Sequence, residues 1–285
     1  MSLSKLLSHK DEILVMPGVY DALSAKIAEH VGFKAIFQTG YGTSASMLAM
    51  PDFGFLSMTE TLENARRITR AVDIPLIVDV DTGYGNPLTV WKLVNDLQKI
   101  GASGIFLEDQ VWPKRCGHMT GKEVIDDNEY IPKLKSAIDA KNNNPDFIIV
   151  ARTDARAPLG IDEAIRRGKK YHDIGADVIF VEAPLSVEEL ATISSEIDAP
   201  LVANMIEEGV TPNLTSAELL RLGYSIAVFP LSGLYSSTFA LYDTFKTLQQ
   251  TGTTMPLKEK MIKFKEFNEL VELDKYMDME KKYIK

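Results

Sequence analysis

The run Pro75-Leu-Ile-Val-Asp-Val-Asp81, the stretch 88–100 and the run Gly104-Ile-Phe-Leu-Glu108 follow one another along the chain. The first and third are short and apolar, and each ends on an acid. Continuous apolar runs of this length suit parallel strands buried on both faces. The stretch between them is amphipathic and long enough for a helix. Gly101-Ala102 closes it as a helix C-cap that leads into the next strand. Together the three pieces read as one β–α–β unit.

The same alternation fills the chain. Apolar runs at 13–16, 35–39, 147–153, 178–182, 201–205 and 226–230 precede helix-like stretches at 22–30, through Met50, and at 161–174, 187–197, 216–222 and 236–250. The run at 104–108 leads into a loop and then a helix near 130–141. Eight such units predict a (β/α)8 barrel of the TIM type, in a single domain over 1–285. An open doubly wound sheet is the alternative. The first strand is not followed by Gly-x-Gly-x-x-Gly, which counts against a dinucleotide fold. The tail 257–285 adds a ninth helical stretch. Its Met261, Phe264, Phe267, Leu270, Val271 and Leu273 recur at three-to-four spacing, one apolar stripe more than a barrel needs.

Composition narrows the partners. The chain has 285 residues, 45% of them hydrophobic and 25% charged, with a net charge of −9. No Lys/Arg-rich block offers a nucleic-acid surface. No apolar window approaches the roughly 18 residues of a spanning helix. A cytoplasmic protein with a small-molecule partner is expected. An acidic chain that takes an anionic substrate needs a local cation or a metal.

The polar residues that interrupt the strands sit at their C-terminal ends: Thr39, Asp79, Asp81, Glu108, Arg152, Asp154, Glu182 and Asn204, with Ser232 after the eighth. In a barrel these ends converge on one face, where sites are built. Asp79 and Asp81 are one residue apart, so on a strand both carboxylates point to the same side. Close carboxylates repel unless a cation or a proton neutralises them. With Glu108 they form an oxygen-rich set that suggests Mg2+ or Mn2+. Arg152 carries the fork that a substrate carboxylate needs, or else pairs with a barrel acid.

Cys116 is the only cysteine, so no internal disulfide exists. It lies in Lys114-Arg115-Cys116-Gly117-His118, whose cations favour proton transfer or thiolate formation. His118 either binds a carboxylate, tunes Cys116, or lies on the loop surface. His9, His30 and His172 read as structural or exposed.

Several motifs together resemble the isocitrate lyase/phosphoenolpyruvate mutase superfamily. They are Met16-Pro-Gly-Val-Tyr-Asp21, Pro51-Asp-Phe-Gly54, Asp79-Val-Asp-Thr-Gly-Tyr-Gly85, Glu108-Asp-Gln110 with the cysteine loop, and Ala151-Arg-Thr-Asp154. The chain is most similar to the short lyase branch. That resemblance implies a (β/α)8 barrel whose C-terminal helix swaps between subunits, in a homotetramer built as a dimer of dimers. It implies Mg2+ near Asp52, Asp79, Asp81 and Glu108, and a mobile loop bearing Cys116. Cys116, His118, Arg152 and Glu182 would be catalytic. Thr39, Gly40, Gly117, Arg152 and Asn204 would bind substrate. Thr39 stands where serine is common, and Phe37 where many of these lyases have tyrosine.

The implied reaction is cleavage of a substituted 2-hydroxy dicarboxylate or tricarboxylate, of the 2,3-dimethylmalate or 2-methylisocitrate type. It gives an α-keto acid such as pyruvate and a carboxylic acid, with Cys116 protonating the enolate. Hydrolysis of oxaloacetate to oxalate and acetate is the alternative. Phosphonopyruvate/phosphoenolpyruvate mutase chemistry is the weaker third reading.

Overall fold

A computed structural model describes every residue except Lys10, Thr120 and Lys285. The chain opens with α1 (Leu3–Leu7), β1 (Leu14–Val19), α2 (Ala22–Val31), β2 (Ile36–Gln38), α3 (Gly40–Leu48), α4 (Met58–Ala71), β3 (Leu76–Asp79), α5 (Pro87–Lys99) and β4 (Gly104–Glu108). It continues through α6 (Asp127–Ala140), β5 (Ile148–Thr153), α7 (Arg156–Leu159), α8 (Ile161–Ile174), β6 (Val178–Val181), α9 (Val187–Glu196), β7 (Leu201–Asn204), α10 (Ser216–Arg221) and β8 (Ile226–Phe229). It closes with α11 (Ser232–Thr251), a 3-10 turn (Met255–Lys260), α12 (Phe264–Leu270) and α13 (Leu273–Tyr283). β1 to β8 form a closed parallel barrel in sequence order, with β8 pairing back on β1.

Local sequence sets the helix starts. Asp21 accepts from Ser24 N at 2.7 Å to cap α2, and Asn86 caps α5 just ahead of Pro87. Ser57 with Glu60 and Thr215 with Glu218 form capping boxes on α4 and α10. Each cap satisfies first-turn N–H groups that have no partner inside the helix.

Two apolar layers result. Outside the barrel, the strands pack on the helices through residues such as Val78, Leu93, Leu134 and Ile179. Inside, Phe37, Phe106, Phe180 and Val228 come from the even strands β2, β4, β6 and β8, the alternate-strand layering that fills barrels of this size. Phe106 stacks against Phe37 at 4.7 Å and against Phe180 at 5.6 Å between ring centres. Leu3 and Leu6 of α1 join this inner cluster. α1 therefore stoppers the barrel at its N-terminal end, a role not expected from the sequence.

Several element boundaries differ from expectation. β2 stops at Gln38, and Thr39 instead caps α3, its Oγ1 accepting from Gly42 N at 3.2 Å. β3 stops at Asp79, and Asp81 adopts φ 49°, a left-handed turn. The two acids therefore do not share a face by strand alternation. They meet because the turn folds back, with Asp81 N donating to Asp79 Oδ1 at 3.1 Å. The helix expected near 130–141 starts at Asp127, and the one expected at 236–250 starts at Ser232.

The C-terminal helices are different in kind. None of the residues of α11 is buried, and Phe239, Tyr242 and Phe245 are 72%, 67% and 62% exposed. α12 rests on the barrel through buried Leu270, and Lys26 of α2 pairs with Glu272 at 3.3 Å. Among the described residues, no helix is long and apolar enough to cross a membrane.

Candidate active site

Strand alternation builds the site from the floor up. Two residues beyond an inward apolar side chain, each strand offers the next inward position. Ile77 is followed in this way by Asp79, Val150 by Arg152 and Val202 by Asn204. On the even strands Phe37 is followed by Thr39, Phe106 by Glu108 and Phe180 by Glu182. A cavity of about 440 Å³, its mouth included, opens above the aromatic floor. Asp79, Arg152, Glu182 and Asn204 wall it, and Cys116 and Gly117 roof it.

The roof belongs to the loop between β4 and α6. Its stem is a short antiparallel pairing: Val111 N donates to Glu123 O, and Ile125 N to Asp109 O, both at 2.9 Å. Gln110 braces the descending limb by accepting from Arg115 N at 3.0 Å and donating to Arg115 O at 2.9 Å. Arg115 itself lies over Phe53, 6.0 Å from the ring centre.

Gly117 is needed for space. A Cβ there would stand 2.0 Å from Glu182 Oε1, so any side chain would push the loop off the acid. Gly40 is a milder case, with Asp79 Oδ2 at 2.9 Å from a built Cβ. Its N–H points at the same oxygen, 3.3 Å away.

Lys114 is the largest surprise among the charges. Its ammonium is buried between Asp52, which it hydrogen-bonds, and Asp81 at 2.7 Å. Burial disfavours the charged amine, but the surrounding carboxylates outweigh it and hold the pKa well above the usual lysine value. Burial pushes Asp81 up to about 6, only partly offset by Lys114. It pushes Glu108 well above the carboxylate range despite Arg152 at 3.3 Å.

Arg152 spends its fork inside the site. Nε and Nη2 donate to the two oxygens of Asp154 at 2.8 and 3.0 Å, and the guanidinium lies 5.3 Å from the Phe180 ring centre. The barrel-acid alternative therefore holds, and Arg152 faces the cavity from a fixed pair. Asp154, just past the end of β5, does not line the cavity, and neither does Ser232, which bonds Glu207. Glu182 is fully buried, which opposes its charge. Arg152 and His118 overcome that and hold it below the usual range. Asn204 Nδ2 donates to Glu182 Oε1 at 3.2 Å, which ties the two cavity-wall side chains together. Asn204 Oδ1 and Glu108 Oε1 are buried with no hydrogen-bond partner among the described residues.

His118 is not a surface residue. Its Nδ1 accepts from Val210 N at 3.0 Å, which places the proton on Nε2, 3.2 Å from Glu182 Oε1. It stands between the loop and the wall.

Of the two states the sequence allowed for Cys116, the surroundings disfavour the thiolate. Burial, with Asp52 and Glu182 nearby, pushes the thiol up to about 11, although the backbone N–H of His118 and Lys114 pull the other way. Lys114 pairs with Asp52 and Asp81, and burial outweighs its pull on the sulfur.

The donor set fits a hard divalent cation. Six carboxylates (Asp52, Asp79, Asp81, Glu108, Asp154 and Glu182) gather at the barrel mouth around three cations, Lys114, Lys122 and Arg152. Together with the orphaned Glu108 oxygen, this excess calls for positive charge or protons. Among the described residues, no three acid, His or Cys side chains already converge at ligand distance.

Known proteins share this architecture. A family model described as phosphoenolpyruvate phosphomutase matches residues 3–245. The 2,3-dimethylmalate lyase of Eubacterium barkeri is 45% identical over 279 residues, 98% of this chain and 96% of that protein. The chain belongs to the phosphoenolpyruvate mutase/isocitrate lyase superfamily.

Other members of the superfamily differ in the activity they are named for. The chloroplastic carboxyvinyl-carboxyphosphonate phosphorylmutase of Arabidopsis thaliana is 48% identical over 281 residues, 97% of this chain and 83% of that one. An oxaloacetate acetylhydrolase, solved with 3,3-difluorooxalacetate, matches with TM-score 0.93 at 36% identity, over 98% of this chain and 95% of that one. A phosphonopyruvate hydrolase, solved with oxalate and Mg2+, matches with TM-score 0.88 at 30% identity over the full length of both. The barrel expected from the sequence is thus the superfamily's own. Lys114, Lys122, Phe106 and Phe180 were not expected as site residues, because lysine and phenylalanine carry no sequence signal that separates a site from a surface or a core.

Proposed function

We propose that the protein is a carbon–carbon lyase that cleaves an alkyl-substituted malate, of the 2,3-dimethylmalate type, into pyruvate and a carboxylic acid. The observation that carries this reading is the half-buried Cys116 thiol held over a cavity walled by Asp79, Arg152, Glu182 and Asn204. Such a group is suited to giving a proton to carbon near neutral pH.

Mg2+ or Mn2+ held near Asp52, Asp79, Asp81 and Glu108 would lend positive charge to the substrate's oxygens. Arg152 faces one carboxylate, and Asn204 steadies Glu182 through its 3.2 Å hydrogen bond. Glu182, ionised at the wall, receives the hydroxyl proton. As the carbonyl forms, the C2–C3 bond breaks and its electron pair passes to the leaving carbon as an enolate. Cys116 supplies the proton that quenches it.

Oxaloacetate hydrolysis is the second reading, favoured by the close match to oxaloacetate acetylhydrolase. Against it, the wall made by Ile206, Val228, Pro230 and Leu231 has no side-chain donor for a hydrated carbonyl and suits an alkyl branch. Mutase chemistry makes no use of a proton delivered to carbon. Incubation of the enzyme and Mg2+ with 2,3-dimethylmalate, 2-methylisocitrate, oxaloacetate and phosphonopyruvate separates these readings. Pyruvate from a branched malate as the fastest product supports the lyase, and oxalate as the fastest product overturns it.

The proposal extends to a homotetramer in which the C-terminal helices exchange between subunits. The uncovered aromatic face of α11 and the exposed Phe264, Tyr276 and Tyr283 beyond it support this. Removal of 257–285 should shrink or aggregate the particle in light scattering. An unchanged soluble oligomer with full activity would refute the exchange.

A further inference from the structure

Lys122 lies at the foot of the cysteine loop and takes no part in the chemistry above. Its side chain is 1% exposed, so it is a buried cation. Nζ donates to Asp154 Oδ1 at 2.9 Å and to the carbonyl oxygen of Gly117. Gly117 immediately follows Cys116, and its Cα packs on Glu182. Lys122 therefore ties the peptide that carries the thiol to the tip of β5.

The anchor it uses is braced in turn. Asp154 N donates to Asp109 Oδ1 at 2.9 Å, and Asp109 Oδ2 receives Thr153, Arg167 and Tyr171 at 2.8, 2.9 and 2.9 Å. The other side of Asp154 holds the Arg152 fork. One carboxylate thus fixes both the cavity's arginine and, through Lys122, the loop.

We propose that Lys122 is the positioning residue that latches the Cys116 loop shut, by clamping the Gly117 carbonyl to Asp154. The latch rests on geometry and holds whichever reaction the cavity performs. Without it, the loop keeps its stem pairing and the His118 and Lys114 contacts, but the peptide beside Cys116 loses its tie to the barrel.

The test reads the loop directly, because Cys116 is the only thiol in the chain. Full-length wild type and Lys122→Met are alkylated with iodoacetamide, with and without Mg2+ plus oxalate as a cavity-filling probe, and followed by mass spectrometry. Folding is checked by circular dichroism. In the variant, alkylation should accelerate on the order of tenfold or more, since a hydrogen bond to a charged group exceeds the energy of one such factor. The kcat on the best substrate should fall, with KM moved far less. Should Lys122→Met fail to fold, Lys122→Leu, likewise without a donor, carries the same measurement. Equal alkylation rates in wild type and a folded variant overturn the latch. So does failure of both variants to fold, which would make Lys122 a fold-stabilising ion pair only.

Discussion

At the strand tips, polar groups answer one another from neighbouring strands. Arg152 forks onto Asp154, Asn204 reaches Glu182, and Asp109 gathers donors from β5 and α8. Three side chains of the loop that carries Cys116 pair with acids around the cavity: Lys114 with Asp52 and Asp81, His118 with Glu182, and Lys122 with Asp154. All three end on carboxylates of the barrel mouth or the segment beside it. The tips are a preorganised charge field, and the loop reads that field. A dication or a substrate anion that changes the charge at the tips therefore changes what holds the loop.

The contrast breaks first if the tips need no cation. Stripping divalent metal should abolish turnover, and Mg2+ or Mn2+ should restore it, because six carboxylates share three cations there. Full activity in excess chelator, with metal shown absent by elemental analysis, would leave the acids with a structural role alone.

A smaller but selective loss should follow damage to the loop. Cys116→Ser should cut kcat by about 10²-fold or more, the usual scale of general acid catalysis, and shift KM little. A raised KM at unchanged kcat would move Cys116 from the chemistry to binding.

The smallest effect concerns pH. The folded thiol lies above its ordinary value, at about 11, so it stays protonated throughout the neutral range and loses its proton only as pH rises toward about 11. The alkaline limb of the kcat profile should show no loss of this acid before then. A limb at the ordinary thiol value that vanishes in Cys116→Ser would show the sulfur to be solvated in the working enzyme.

The two halves of the site were unequally legible. Strand-end polar residues announce themselves because an apolar run must turn polar where it leaves the core, and Asp79, Glu108, Arg152, Glu182 and Asn204 all came to the mouth. Asp81 was placed for the wrong reason, since a left-handed turn cannot be seen in strand alternation. The loop was legible only as chemistry. The sequence shows two cations beside a thiol, but not that Lys114 is spent on Asp52 and Asp81 or that burial sets the sulfur's proton. Lys122 gave no signal, because its partners lie across the fold.

The most direct measurement is the fate of the proton that reaches carbon. Run in D2O on 2,3-dimethylmalate, the wild-type enzyme should release propionate carrying one deuterium at C2, in a single configuration, because Cys116 approaches one face of the enolate. Cys116→Ser should turn over slowly and release propionate of mixed configuration, its proton taken from solvent. Single-configuration propionate from Cys116→Ser at the wild-type rate would show that another group delivers the proton.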